Sequence, residues 1–274
     1  MYVELSKEKE TLKTSRYFTI AFAEANIAGT TQDIVVKRAV SNSAYPMWRQ
    51  ERDILYAVHS PGIVEILGCN MQNKELYLKK IRGQNIFNYT TNNTLEMFNL
   101  LFLMTDLTST LSYLHSNTPK KPPIVQGDIS GGNIMVNPKA SVSFNPVMID
   151  FQYSFFENKP PEHLSNIQYG TPQYVAPEAI GENIVNTTKR DVYSMGIVFY
   201  YMFSKDFPYD FNKIEDVPKE RIFDWIKKKI NKSNPKPIST KVKDIDKIIM
   251  SMIEKDYKNR CTAKEAHSAF NSLI

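Results

Sequence analysis

The hydrophobic period of this 274-residue chain changes near Gly83, and that change limits the fold more than any other feature. Ahead of it the pattern is strand-like. "YFTIAFAEANIA" (17–28) and "DIVVKRA" (33–39) predict two strands joined through Gly29-Thr30-Thr31. "GIVEILGCN" and "KELYLKKI" predict a second pair. One helix is expected here, over 46–58, where Pro46 suits a first turn and Trp48, Ile54, Leu55 and Val58 recur near helical spacing. From about residue 95 the pattern turns helical. "LEMFNLLFLMTDLTSTLSYLH" predicts a long apolar helix, and more are expected around 190–203, 220–230, 244–254 and 262–273. Two short strands, "NIMVN" and "PVMID", fall between. This order predicts an α+β fold: a small β-rich lobe with one key helix (1–82), a larger, mostly helical lobe (83–274), and a cleft between them.

Composition removes several functional classes. Cys69 and Cys261 are far apart with no CxxC, which argues against a disulfide framework or zinc site and fits a reducing, intracellular compartment. The start, "MYVELSKEKETLK", is charged and has no apolar core of a secretory signal. The most apolar run, "DVYSMGIVFYYMF", is too short to cross a bilayer, so no membrane contact is expected. The net charge of +5 is mild, and Lys227-Lys228-Lys229 reads as a solvated helix face, so no nucleic-acid partner is expected. Nothing is read outside one domain, so a protein substrate or a regulatory partner chain would act through the domain surface.

Polar residues in apolar settings carry the chemistry. Asp128 lies between short apolar segments, with Asn133 five residues on. Pairing of "IMV" with "VMI" would bring Asp150 beside Asn133, and a carboxylate with an amide oxygen suits Mg²⁺. Acids and amides in glycine-flanked turns are also ordinary turn residues. Lys37 interrupts the strand "VVKRA"; it is either an edge lysine or an inward charge needing Glu51, on the following helix, as counter-ion. Glu178 has a candidate buried partner in Arg260, and Asp191 opens an apolar helix where a carboxylate can cap amides. His59 and His115 read as loop and helix-end residues, and Tyr200 and Tyr201 as packing.

Taken together, these residues resemble a eukaryotic-type protein kinase over nearly the whole chain. Lys37, Glu51, Asp128, Asn133, Asp150 in "IDFQ", "APE" at 176–178, Asp191 and Arg260 occur in the family's order. The resemblance implies ATP between the lobes, with Lys37 on the phosphates and Glu51 steadying it. Asn133 and Asp150 would hold Mg²⁺, and Asp128 would be the catalytic-loop carboxylate that orients the substrate hydroxyl and accepts its proton. Phe22, Val35 and Met135 would line the adenine site. Asp150 to Glu178 would be the activation segment. "GTPQYVAPE" looks like the serine/threonine-kinase docking segment, with Thr171 bracing Asp128. Glu178, Asp191 and Arg260 would be structural anchors.

The chain departs from the family pattern at four places. No glycine precedes Gly29, so the glycine-rich loop would fall on "SRYFTIAF", Ser15 to Phe22. Gln126-Gly127-Asp128 stands where His-Arg-Asp is common, which removes the partner of an activation-loop phosphate. Ser130 replaces a lysine, and Gln152 replaces the D-F-G glycine. Ser154, Ser165 and Thr171 are the only serine or threonine hydroxyls of the activation segment. These departures keep a pseudokinase, acting as a nucleotide-binding or scaffolding module, as the alternative. The Gly-Asp step is also similar to aminoglycoside- and choline-kinase-type small-molecule phosphotransferases, which lack the "GTPxYxAPE" segment.

Overall fold

The computed structural model describes residues 3–119, 121–157, 159–165 and 168–274; the side chain of Ser165 lies outside the described residues. Its first part is a five-stranded antiparallel sheet, β1 (Val3–Thr14), β2 (Phe18–Ile27), β3 (Thr30–Ala39), β4 (Ile66–Asn70) and β5 (Glu75–Lys79), in the order β1-β2-β3-β5-β4. Ala28 and Gly29 close the β2–β3 hairpin with φ of 51° and 83°, the sense that matches strand twist in tight hairpins. Alternation sorts the side chains. Ala23, Ala25, Ile27, Ile34, Val36 and Tyr77 form a small apolar cluster on one face. On the other, Phe18 opposes Ala39 and Phe22 opposes Val35, with Lys37 one step further along the same face.

Helix α1 (Tyr45–Ala57) carries Pro46 in its first turn and buries Met47, Trp48, Glu51, Ile54 and Leu55. Four of these belong to the main core, so Glu51 reaches inward in an apolar row.

The second part is mostly helical. The ribbon of β6 (Gln84–Asn85) leads into α2 (Ile86–Asn92), capped by the Asn85 side chain, which accepts from the Asn88 N–H at 2.8 Å. Helix α3 (Met97–His115) runs through the core. Next come the short strands β7 (Ile124–Val125), β8 (Ile134–Val136), β9 (Val147–Met148) and β10 (Phe155–Phe156). Strands β6, β8 and β9 make one ribbon and β7 with β10 another. Helices α4 (Glu162–Ser165), α5 (Lys189–Ser204), α6 (Ile222–Lys232), α7 (Lys243–Met252) and α8 (Ala263–Asn271) complete the chain. Helix α8 packs on α3, and α7 on α5.

Helix α2 has no counterpart in the pattern reading, and the start of the sheet differs from it at two places. β1 had no apolar alternation to reveal it: beyond Leu5 all its residues are exposed, and three register shifts break its pairing with β2. Such a bulged, charge-covered edge resists pairing with other chains. The expected loop over Ser15–Phe22 is also shorter, because Phe18 to Phe22 already belong to β2 and only residues 15–17 turn. Among the described residues, no helix is long and apolar enough to cross a membrane.

Candidate active site

The sheet and α1 build one wall of the site. Lys37, 3% exposed, extends from β3 to Glu51 on α1, with Nζ 2.6 Å from Oε2. The same Nζ lies 2.7 Å from Asp150 Oδ1, so one ammonium joins two carboxylates. Burial works against its charge, but Asp150 and Glu51 outweigh burial and raise the pKa above the ordinary lysine value. Burial is also the main influence on Glu51 and raises its carboxyl pKa, with Lys37 acting the other way. Glu51 Oε1 accepts the Phe151 N–H at 3.0 Å, and the Phe151 ring is fully buried. Helix α1 is thus tied to the chain that carries Asp150.

The opposite wall is the loop between β7 and β8. Gly127 has φ 85°, and a Cβ there would meet the Tyr153 carbonyl oxygen at 2.5 Å. A larger residue, an arginine included, would strain this backbone and force the Tyr153 carbonyl to move, so the glycine of Gln-Gly-Asp suits the loop as it stands. Asp191, at the start of α5, accepts the Gln126 N–H at 2.7 Å and the Gly127 N–H at 3.0 Å. It also lies 3.1 Å from His115 Nε2, a pairing between α3 and α5 that gives His115 a carboxylate partner the sequence does not reveal.

Asp128 is fixed from two sides. Its Oδ1 accepts the Thr171 N–H at 2.7 Å and the Thr171 hydroxyl at 2.8 Å. Asn133 Nδ2 donates to Asp128 Oδ2 at 3.0 Å and to its carbonyl oxygen at 2.9 Å. Burial and the nearby Asp150 push the Asp128 carboxyl up to about 7, against the hydrogen bonds from Thr171 and Asn133. Pairing of β8 with β9 brings Asp150 alongside Asn133, whose carbonyl oxygen accepts the Ile149 N–H at 2.9 Å. Asp150 itself adopts φ 60°.

Phe22, Val35 and Met135 are half-buried, the first two as cross-strand partners. The Lys80 ammonium lies 4.0 Å from the centre of the Phe22 ring. Arg260, 1% exposed, meets Glu178 at 2.5 and 3.0 Å, a two-pronged pair, and donates to the Lys189 and Glu254 carbonyls. Lys227 of the basic run donates to the Ile180 carbonyl, and Lys229 lies 3.7 Å from Asp210.

Two residues escaped the sequence reading. Ser15 closes the β1–β2 turn: its hydroxyl oxygen accepts from the Tyr17 and Phe18 N–H groups at 3.3 and 3.0 Å and donates to the Phe18 carbonyl at 3.0 Å. Phe18, 3% exposed, places its ring 4.6 Å from Lys37 Nζ. A serine three residues ahead of a strand aromatic was the only available signal.

The family model for the protein kinase domain matches residues 24–270. A protein of Acanthamoeba polyphaga mimivirus that bears a serine/threonine-protein kinase name is 28% identical over 193 residues, covering 70% of this chain and 63% of that one. Serine/threonine-protein kinase TNNI3K of Mus musculus is 25% identical over 205 residues, 73% of this chain and 24% of its own. A receptor-like protein kinase of Arabidopsis thaliana is 30% identical over 185 residues, 61% and 19%. The chain therefore spans less than two thirds of these relatives' lengths.

Proposed function

We propose a catalytic role from one established premise: this chain belongs to the protein kinase family. The role is transfer of the ATP γ-phosphate to serine or threonine hydroxyls of protein substrates. One observation carries it: a single buried ammonium, Lys37, joins Glu51 and Asp150, while Thr171 and Asn133 orient Asp128. The names of the curated relatives and the "GTPQYVAPE" segment support serine/threonine specificity.

The donor set fits Mg²⁺ and ATP. Asn133 uses its side-chain N–H groups on Asp128, which leaves its side-chain oxygen, Oδ1, as the ligand atom. The Asp150 side chain is 25% exposed, so it reaches the cleft. An amide oxygen and a carboxylate are hard ligands of the kind magnesium takes. When bound, Mg-ATP supplies the phosphoryl group, and the metal offsets the charge on its oxygens. Lys37 binds the α- and β-phosphates, and Glu51 keeps it aimed. Asn133 and Asp150 hold the metal. Thr171 donates twice to Asp128 Oδ1 and Asn133 once to Oδ2, so Oδ2, with the lone pair to spare, is the oxygen that would meet the substrate hydroxyl and take its proton. A carboxyl poised near 7 suits that transfer. Phe22, Val35 and Met135 enclose the base.

The proposed division places the lobes at 1–82 and 83–274, with the activation segment at 150–178. The proposed setting is intracellular, supported by two unpaired cysteines.

The hairpin tip favours a second reading, a nucleotide-binding scaffold. Ser15 satisfies the amides that would approach phosphates, and Phe18 sits against Lys37. One experiment separates the two: radiolabelled Mg-ATP with generic protein substrates, Asp128→Ala as control, and thermal melting with Mg-ATP. Labelled protein that disappears in the variant supports the kinase. A melting shift with no transfer to any substrate establishes the scaffold.

A further inference from the structure

Asp128 and Asp150 lie on separate segments, and phosphoryl transfer needs them at a fixed spacing. Resting on the kinase reading above, we infer that Gln126 is the positioning residue that sets it. Gln126 is 1% exposed. Its Oε1 accepts the Asp128 N–H at 2.7 Å, and its Nε2 donates to the Asp150 carbonyl oxygen at 2.9 Å. One planar amide therefore joins the main chains of both acids.

The residue is itself anchored. Its N–H donates to Asp191 Oδ2 at 2.7 Å, and its carbonyl accepts the Ser154 hydroxyl at 2.8 Å. The Ser154 carbonyl in turn accepts Gln50 Nε2 from α1 at 3.0 Å. The strap thus connects to α5 and to the helix that bears Glu51.

A strap in this place requires one donor and one acceptor on a single short group. A primary amide has both, a carboxylate lacks the donor, and an apolar side chain lacks both. The other contacts act on different atoms. Lys37 holds the Asp150 carboxylate, while Thr171 and Asn133 hold that of Asp128. They aim the carboxyl groups, and Asn133 also holds the Asp128 carbonyl, whereas Gln126 is the side chain that bonds the main chains of both acids at once. A buried amide that merely satisfies nearby polar groups would look the same in a static structure, so the test reads alignment separately from stability.

Gln126→Met keeps the length and removes both bonds. Two measurements are made on the full chain: steady-state phosphotransfer, and amide hydrogen exchange without nucleotide. The expected result is a kcat at least tenfold lower, with a KM for Mg-ATP changed less than threefold because Lys37 still holds Asp150. The Asp128 amide should exchange at least tenfold faster. Ser154→Ala, which removes the brace but leaves the strap, should keep kcat within twofold and the Asp128 amide protected. A Gln126→Met kcat within twofold of the parent overturns the inference, as does unchanged Asp128 exchange. Equal kcat losses in both variants that track lost thermal stability also overturn it. If the parent transfers no phosphate, the kinase reading falls, and the exchange comparison alone decides the strap.

Discussion

At the loop from Gln126 to Asn133, the groups that would meet a nucleotide are held from outside: Asp128 by Thr171, the backbone amides by Asp191. At the hairpin tip from Ser15 to Phe18, the comparable groups are held by one another. The two regions meet at Lys37, whose ammonium lies beside the Phe18 ring and bonds Asp150. In the first, neighbouring segments hold Asp128 Oδ1, while Oδ2 takes one bond from Asn133 and the Asn133 side-chain oxygen faces no donor among the described residues. In the second, a serine hydroxyl takes up the amides, and an aromatic ring covers the cation. On the proposed reading, a bound phosphate would therefore depend on Lys37 and on a metal held by Asn133 and Asp150 rather than on the hairpin's backbone donors.

Four changes break or sharpen that contrast. Asp128→Asn strikes the externally held side and has the largest expected effect, a loss of about 10²–10⁴-fold in kcat with the Mg-ATP melting shift retained. It also carries a pH signature. The folded carboxyl pKa is raised from 3.8 to about 7, so the folded state binds more protons between those values. Stability from this group is present below about pH 4 and declines by about 1.4 kcal/mol per pH unit up to about pH 7. Urea titrations at stepped pH should show that decline relative to Asp128→Asn. Equal pH dependence in parent and variant would remove the shifted carboxyl from the account.

Lys37→Met strikes the junction of the two regions. It leaves Glu51 buried without its counter-ion, a class of change that costs about 3–5 kcal/mol. Chemical denaturation should report that loss, and Mg-ATP should no longer raise the melting temperature. A melting shift that survives would mean that nucleotide binds without this ammonium.

Ser15→Gly tests the hairpin directly, since it releases the Tyr17 and Phe18 amides. Freeing an amide for a phosphate oxygen is worth about 1 kcal/mol, so the KM for Mg-ATP should fall about fivefold. A KM that stays level or rises would show that the tip is remote from phosphate even when released. The smallest effect is expected from phosphatase treatment. Gly127 leaves no arginine beside Asp128, and the Ser154 hydroxyl is already bonded to Gln126. The rate should change less than twofold; a larger drop would point to a phosphate receptor elsewhere.

The same contrast decides what the sequence could disclose. Lys37 and Glu51 stand out as charges inside apolar rows; position alone leaves Lys37 open between an edge lysine and an inward charge, and the motifs further along the chain favour the buried pair that the structure contains. The ribbon that brings Asp150 beside Asn133 follows from two short apolar runs. The hairpin tip is different. Its shape depends on three register shifts along β1, a strand whose exposed residues carry no alternation. Helix α2 hides for a related reason: "IFNYTTN" is rich in poor helix formers and depends on the Asn85 cap. The distant partners of Gln126 and His115 come from α5 and from the segment 150–154, and local sequence holds no trace of them.

The Arg260–Glu178 pair also bears on biosynthesis. Glu178 leaves the ribosome 82 residues before the guanidinium that neutralises it. Until Arg260 emerges, the segment that follows Thr171 has a carboxylate that is costly to bury, so this segment is expected to settle late. Ribosome-tethered chains halted ahead of residue 260 should be cut by protease within 170–180, and chains extended well beyond it should resist.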